Sequence, residues 1–549
     1  MSEQQPLHPI ACQLACLLVE EQLGPLCKEV CDLLLRKETQ SLPELSRGTG
    51  CSRFELHQAL LVLIQHNCVQ PYTLVHDEGG STPAQTVFQP DLRSILYRFR
   101  SARCLLHIID TWGHIDSPAT SKIAECIIEG LLENGRLTSD QLCINVAGKL
   151  DAGCKNQTPH KSIKRTLCQL ISNHYVERAP PADLPMPRVT VHPKALSKRG
   201  GMSSSAKAAA DQAENVRRLD KVGYGKERYR IPNDLRLDDD SSDCQSASKR
   251  QKVNHPSGTV GAELKGAPIL WRVSFEEFNR RFRHDACVEL IDQAKDGKAA
   301  AVAAAILQKT RQFETILKEE SSQPTSAGII KAALEEMKSR DTELPDIPDV
   351  AEALRQLEDD DLGLINSAPG GPDGTTYQID LRFCISLTRL KAMEAIVRQR
   401  FGRLGLRIWR VLLLTGQLEQ KSIKELALGD QKEVRQLLYG MLKAGFMAVT
   451  DIPKTADRAA SRTFYTWRVQ PESMTEKIGI DTLHAMFNVA SRLSVESVLN
   501  SELLQQLELE NKAIFKTHGQ QLGRLKVVRD LLESSLLRLD DTSALFNDF

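Results

Sequence analysis

The chain has 549 residues, 41% of them hydrophobic and 26% charged, and its 71 Lys plus Arg equal its 71 Asp plus Glu. That length exceeds what one hydrophobic core holds and predicts roughly three to five domains of ordinary globular composition. A formal charge of zero argues against a chain that binds nucleic acid unaided through a general basic excess, because phosphate neutralisation supplies most of such affinity. Basic residues must be concentrated locally, or DNA is met as part of something larger.

One pattern recurs along the chain: a leading helix, an amphipathic helix, a polar break, a short helix, a capped third helix, and a β-rich stretch with a polar tip. That order predicts the winged-helix variant of helix-turn-helix. Tandem helical hairpins are the alternative, and the β-rich stretch after each third helix counts against them. In the first copy (8–90), helix 11–20 leads and 23–36 carries Leu26, Val30, Leu33 and Leu34 at helical spacing. Ser41-Leu42-Pro43-Glu44 starts a second helix, and Ser52-Arg53-Phe54-Glu55 is a capping box opening a third, which buries Leu56, Leu60, Leu63 and Ile64. Strands 69–75 and 85–88 flank a tip at Asp77-Glu78-Gly79-Gly80.

The second copy (91–192) has a leading helix at 92–112, a first helix at 123–132 and a cap at Thr138-Ser139-Asp140-Gln141. Its third helix is 161–171, and 175–178 pairs with 188–191 as the wing. Residues 193–265 are poor in apolar residues and more basic than acidic, which predicts a disordered linker. Within them Lys249-Arg250-Gln251-Lys252 fits a nuclear-import patch or plain solvated linker. The third copy (266–381) has helices at 275–290, 299–317, 326–337 and 350–357 and a wing at 362–379 around Gly370-Gly371-Pro372.

In the fourth copy (382–471) helix 387–400 leads into 401–414 and 421–426. Asp430 caps a third helix carrying Val434, Leu437, Leu438 and Met441, and strands 446–452 and 463–469 enclose the tip 453–462. Beyond it (472–549), helices 480–509 and 522–539 are separated by a break near 516–519. Leu525, Val528, Leu532 and Leu539 fall near heptad spacing, predicting a coiled-coil hairpin. The fold class is therefore mainly α with small β wings: four tandem extended winged helices plus a C-terminal helical hairpin.

No catalytic constellation is present: no HExxH, no P-loop, no GxSxG, no GxGxxG after a strand. The 14 cysteines form no CxxC pair, so buried free thiols are expected rather than zinc ligands. His107 and His114 read as packed or exposed side chains, and the acidic runs 238–240 and 358–361 as solvated surface. No cofactor, metal or small-molecule substrate is implied. Residues 1–9 lack a secretory layout, and the longest aliphatic stretch, 299–307, is too short to span a membrane.

Surfaces remain as candidates. Lys432 and Arg435 on the fourth copy's third helix, with Lys454, Arg458 and Arg462 on its wing, stand where a winged helix meets phosphate. The aromatic run Phe464, Tyr465 and Trp467 is expected to pack the sheet. The third copy's third helix is acidic and would repel DNA, so it is expected to bind protein.

The segment Asp451-Ile452-Pro453-Lys454-Thr455-Ala456-Asp457-Arg458-Ala459-Ala460-Ser461-Arg462-Thr463-Phe464-Tyr465 closely resembles the IPKT-x-D-x-x-x-SRTFY segment of a subunit family found only in RNA polymerase III. Ile269-Leu270-Trp271 with Phe275, Phe278 and Arg281-Phe282-Arg283 resembles that family's I-x-W…F…F-R element at the start of its third unit. Residues 14–63 look like its first helix-turn-helix. The resemblance, to the RPC-three or C-eighty-two family, implies a nuclear, TFIIE-alpha-like, non-catalytic subunit. It implies a place on the polymerase clamp beside two smaller heterotrimer subunits, and a role in opening promoter DNA and recruiting TFIIIB at tRNA and 5S rRNA genes. The short, interrupted C-terminal helices depart from the family's pattern. Two rival readings stay open: a free winged-helix DNA-binding transcription regulator, and a winged-helix scaffold of another assembly.

Overall fold

The computed structural model describes residues 8–74, 85–113, 118–151, 160–182, 184, 227–232, 235, 268–295, 297–314, 318–340, 350–358, 363–369, 375–453, 463–508 and 519–549. Among these the chain is mainly helical, with four three-stranded antiparallel sheets. It divides into two compact units: Met1–Phe278 with Phe487–Leu537, and Asn279–Met486 with Arg538–Phe549.

In the first unit, α1 (Pro9–Leu23) and α2 (Pro25–Lys37) meet at Gly24, whose φ of +92° is natural only to glycine. Capping boxes open α3 (Leu42–Thr49) and α4 (Arg53–Gln65), each pairing a serine with the glutamate three residues on. At α4, Ser52 N donates to Glu55 Oε2 at 3.0 Å and Glu55 N donates to Ser52 Oγ at 3.3 Å. Val30, Leu34, Leu45, Leu56, Leu60 and Leu63 close one core beneath the sheet. That sheet has the order β1 (Gln40–Ser41), β3 (Gln85–Pro90), β2 (Val69–Leu74). The expected tip at 77–80 lies outside the described residues.

After α5 (Leu92–Leu96) come α6 (Ser101–Gly113), α7 (Pro118–Asn134), β4 (Leu137–Thr138), α8 (Ser139–Asp151) and α9 (His160–Ser172). The cap at 138–141 forms as read, with Gln141 N donating to Thr138 Oγ1 at 3.3 Å. The wing includes a strand that the sequence reading did not place in it. The described partner of β5 (Val176–Arg178) is β6 (Leu270–Val273), in the register Glu177↔Arg272 and Arg178↔Trp271, and 188–191 lies outside the described residues. Trp271 therefore closes the second sheet, order β4-β6-β5, instead of opening a third copy at 266. It is fully buried, and Arg178 lies 5.8 Å from its ring. Nor is 193–265 wholly a loose linker: residues 227–232 and Leu235 pack on this unit, Leu235 being buried. His107 is packed, within 3.3 Å of the Tyr175 hydroxyl, while His114 and the Lys249–Lys252 cluster lie outside the described residues.

In the second unit, which takes α10 (Phe275–Ala294) from Asn279 onward, α11 (Gly297–Thr310) ends earlier than the expected 317. With α12 (Ala327–Arg340) and α13 (Val350–Glu358) it packs on a sheet of order β7 (Thr325–Ser326), β9 (Thr375–Ile379), β8 (Ile365–Pro369). Buried Glu314 lies 3.5 Å from Arg280 and 2.8 Å from His284, so the interior charges are matched.

Helix α14 (Leu381–Thr415) is broken at Gly402 (φ +69°) into the two arms expected on either side of residue 400. Helices α15 (Gln420–Ala427) and α16 (Gln431–Lys443) follow, on a sheet of order β10 (Gln417–Glu419), β12 (Thr463–Arg468), β11 (Ala448–Pro453). Ile408, Trp409, Leu412, Val434, Leu438, Met441, Phe446 and Trp467 form its core. Pro471 seats in the first turn of α17 (Pro471–Leu499), so this helix starts well before the expected 480. Beyond α18 (Ser501–Glu508), α19 (Gly519–Ser543) ends in a π turn, Ala544–Asp548, which returns Phe546 to the core of Trp409, Met474 and Ile478.

Candidate nucleic-acid interface

The side chains singled out at Lys432 and Arg435 owe their position to the cap and core of α16. Asp430 accepts a hydrogen bond from Lys432 N at 3.0 Å and sets where the helix begins. Val434, Leu438 and Met441 are fully buried. The opposite face, at positions three and four apart, then presents Lys432, Arg435, Gln436, Tyr439 and Lys443, all five exposed. The Arg435 guanidinium carbon lies 6.0 Å from the Tyr439 ring centre, and Tyr439 meets Trp467 edge-on at 5.3 Å and 90°. The tyrosine is held by the core at one edge while half its surface (52%) faces solvent.

The neighbouring wing adds aromatic surface. Tyr465 is 51% and Phe464 41% exposed, facing Asp451 and Ile452 in the ladder. Only Trp467 packs as the sequence predicted. Trp467 and Thr466 at the base of β12 are buried, whereas Phe464 and Tyr465 lie nearer its free end, and only Tyr465 shares the face of Trp467. Lys454, Arg458 and Arg462 lie outside the described residues, and no geometry is assigned to them. Tyr439 and Lys443 were missed in the sequence. The signal was there: both continue the three-and-four spacing begun at Lys432 and Arg435.

The other third helices differ. On α4, Phe54, Leu61 and Val62 are exposed, an apolar rather than cationic face. On α13, Glu352 and Glu358 are exposed, in line with its acidic reading. On α9, Lys161 and Arg165 are exposed, and Lys164 lies 4.0 Å from Asp140. The exposed faces of these helices differ in chemistry.

Among the described residues no group of three or more His, Cys, Asp or Glu side chains could hold a metal ion, and no disulfide joins the described cysteines to one another. Burial, with the Asp32 charge second, pushes the Cys16 thiol up to about 12. Burial likewise raises Cys31. Such thiols are protonated and unreactive at neutral pH. Alkylation of the folded chain at pH 8 is expected to leave Cys16 and Cys31 unmodified by mass spectrometry, and to label both after denaturation. Rapid native labelling of Cys31 would mean that the first core opens freely.

Three family models match. Residues 13–72 match the RNA polymerase III subunit RPC82 helix-turn-helix domain, 165–386 the RNA polymerase III subunit RPC82, and 393–469 the POLR3C C-terminal winged-helix domain, which spans α16 and its wing. The chain is 25% identical to the human DNA-directed RNA polymerase III subunit RPC3, covering 98% of this chain and 97% of that one. It is 24% identical to the Danio rerio subunit over 90% of this chain and 86% of that one. To the Aspergillus clavatus subunit it is 23% identical over 98% and 99%.

Proposed function

The chain belongs to the RNA polymerase III subunit RPC82 family, and from that premise we propose that it is a non-catalytic subunit of DNA-directed RNA polymerase III. In this reading it works in the nucleus beside two smaller subunits on the clamp, helps TFIIIB engage the enzyme, and assists promoter opening at tRNA and 5S rRNA genes. The observation that carries the DNA-facing part is the cationic face of α16: three exposed cations and a half-exposed tyrosine on a chain with no net charge. Coulomb attraction from so few cations is screened beyond about 8 Å at physiological salt. The face therefore acts on DNA that the polymerase already holds close.

Phosphate contacts leave a salt signature. Alanine at Lys432, Arg435 and Lys443 together should lower the slope of log affinity against log salt by about 2–3 for polymerase carrying the variant subunit, since each lost duplex-phosphate contact removes about 0.9. Subunit incorporation should be unchanged. An unaltered slope with normal promoter opening would remove this face from the DNA path.

The wing cations Lys454, Arg458 and Arg462 are proposed to face promoter DNA or the clamp. Alanine at all three positions should impair promoter opening or polymerase association, and the defect observed identifies which surface is met. No change in either would reject the proposal. Purification of the tagged chain from nuclear extract separates the assembly reading from the free regulator: the former predicts the complete polymerase III set, the latter chromatin without it.

A further inference from the structure

Strand β5 is the outer strand of its sheet, and an open edge of this kind exposes unpaired N–H and C=O groups. Here it is covered by chain from within residues 193–265. Arg178 N donates to Arg228 O at 2.9 Å, and the Arg178 guanidinium donates to Arg230 O at 3.1 Å and 2.8 Å. Tyr229 stacks on His174 at 3.9 Å between ring centres and 16° between planes. Leu235 is buried, and its carbonyl accepts from the Cys168 thiol at 3.3 Å.

Beneath this cover lies Glu177, only 2% exposed. Its carboxylate bridges two guanidinium groups: Arg272 on β6 at 2.7 Å, and Arg228 from the covering segment. Arg228 also reaches Glu276 at 2.7 Å, and Arg178 pairs with Glu227 at 2.5 Å. Burial alone would raise the Glu177 pKa, but Arg228 and then Arg272 outweigh it and hold the carboxyl below its ordinary value. It is therefore charged throughout the neutral range.

The two arginines hold different things. Arg272 joins Glu177 across the ladder, within the sheet. Arg228 joins it to a short segment whose described attachments also include the Arg228–Glu276 and Arg178–Glu227 ion pairs at its margin, one stacked ring, one buried leucine and a few hydrogen bonds. Removing one partner of a buried ion pair is costly because the other charge is left without compensation. Segments with few apolar contacts open locally at less free energy than the whole unit needs.

We infer that residues 227–232 with Leu235 form a strap that closes the free edge of the second sheet, locked by the Arg228–Glu177 ion pair and able to open while the sheet beneath stays folded. The strap is this chain's own occupant of an edge that would otherwise accept a foreign strand.

Hydrogen–deuterium exchange of the full-length chain tests it. In the wild type, amides at 228–231 should exchange more slowly than in a free peptide of the same sequence. Glu177→Gln should speed their exchange by about tenfold or more, while amides of β6 and α9 keep their protection. Tyr229→Ala, which leaves the buried charges in place, should speed exchange of the same amides and of no others. Wild-type amides exchanging at free-peptide rates would overturn the strap. Unchanged rates in Glu177→Gln would overturn the ion-pair lock, and joint loss of protection in strap, β6 and α9 would overturn its independence from the sheet.

Discussion

Gly135→Ala is expected to destabilise the first unit by roughly 2–5 kcal/mol, the sum of a backbone and a packing penalty. The residue has φ +76°, where an L side chain costs about 1–2 kcal/mol. A methyl group there would overlap the Gln65 carbonyl oxygen and lie 2.8 Å from the His66 Cα. Overpacking against backbone adds about 1–3 kcal/mol because backbone cannot rotate aside. The close approach serves a polar joint: Gln65 donates to the Asn134 carbonyl at 2.9 Å, and Arg136 donates to Asn67 at 2.8 Å. Gly50→Ala is the control, since its φ is +70° but nothing lies within 4 Å of the added methyl. Denaturant unfolding should show Gly50→Ala losing only the backbone part. Equal losses for the two variants would mean that the joint yields without cost.

Phe546→Ala should cost the second unit about 3–5 kcal/mol, the usual range for deleting a buried aromatic ring. Phe546 is 5% exposed among Trp409, Met474 and Ile478. The turn around it is fixed by Arg389, which donates to Leu545 O at 2.8 Å and to Phe549 O at 2.7 Å. Because the same core supports the buried side of α16, the variant should also weaken promoter opening, with every cation of the interface intact. Thermal unfolding with an unchanged midpoint would show that the core holds without this ring.

Much of the fold was legible because local chemistry decides it. The Ser52–Glu55 and Thr138–Gln141 caps, the Asp430 start of α16 and the break of α14 beside Gly402 all follow from residues within four positions of one another. What was missed depends on partners far apart in the chain. Nothing near Val176 announces that its strand partner is Val273, and a mean composition over 193–265 conceals an Arg and a Tyr that become half-buried and a Leu that becomes buried. Phe546 failed to register because a single π turn has no periodicity to read. At the candidate interface, Lys432 and Arg435 were read from charge. Tyr439 was not, because a tyrosine on an amphipathic helix is ordinarily a core residue until the strands beside it are in place. The aromatic run of β12 was misjudged by treating it as one patch, when burial falls off from Trp467 toward Tyr465 and Phe464 along the strand.

The pairing of β5 with β6 has a consequence in time. The two strands leave the ribosome far apart: at synthesis rates of about 5–20 residues per second, β6 follows β5 by roughly 5–20 s. Closure of so long a loop is also intrinsically slow. For that interval the nascent chain carries Tyr175, Val176 and Glu177, buried in the finished sheet, without the tryptophan strand that covers them. The second sheet of the first unit thus depends on being shielded while it is made.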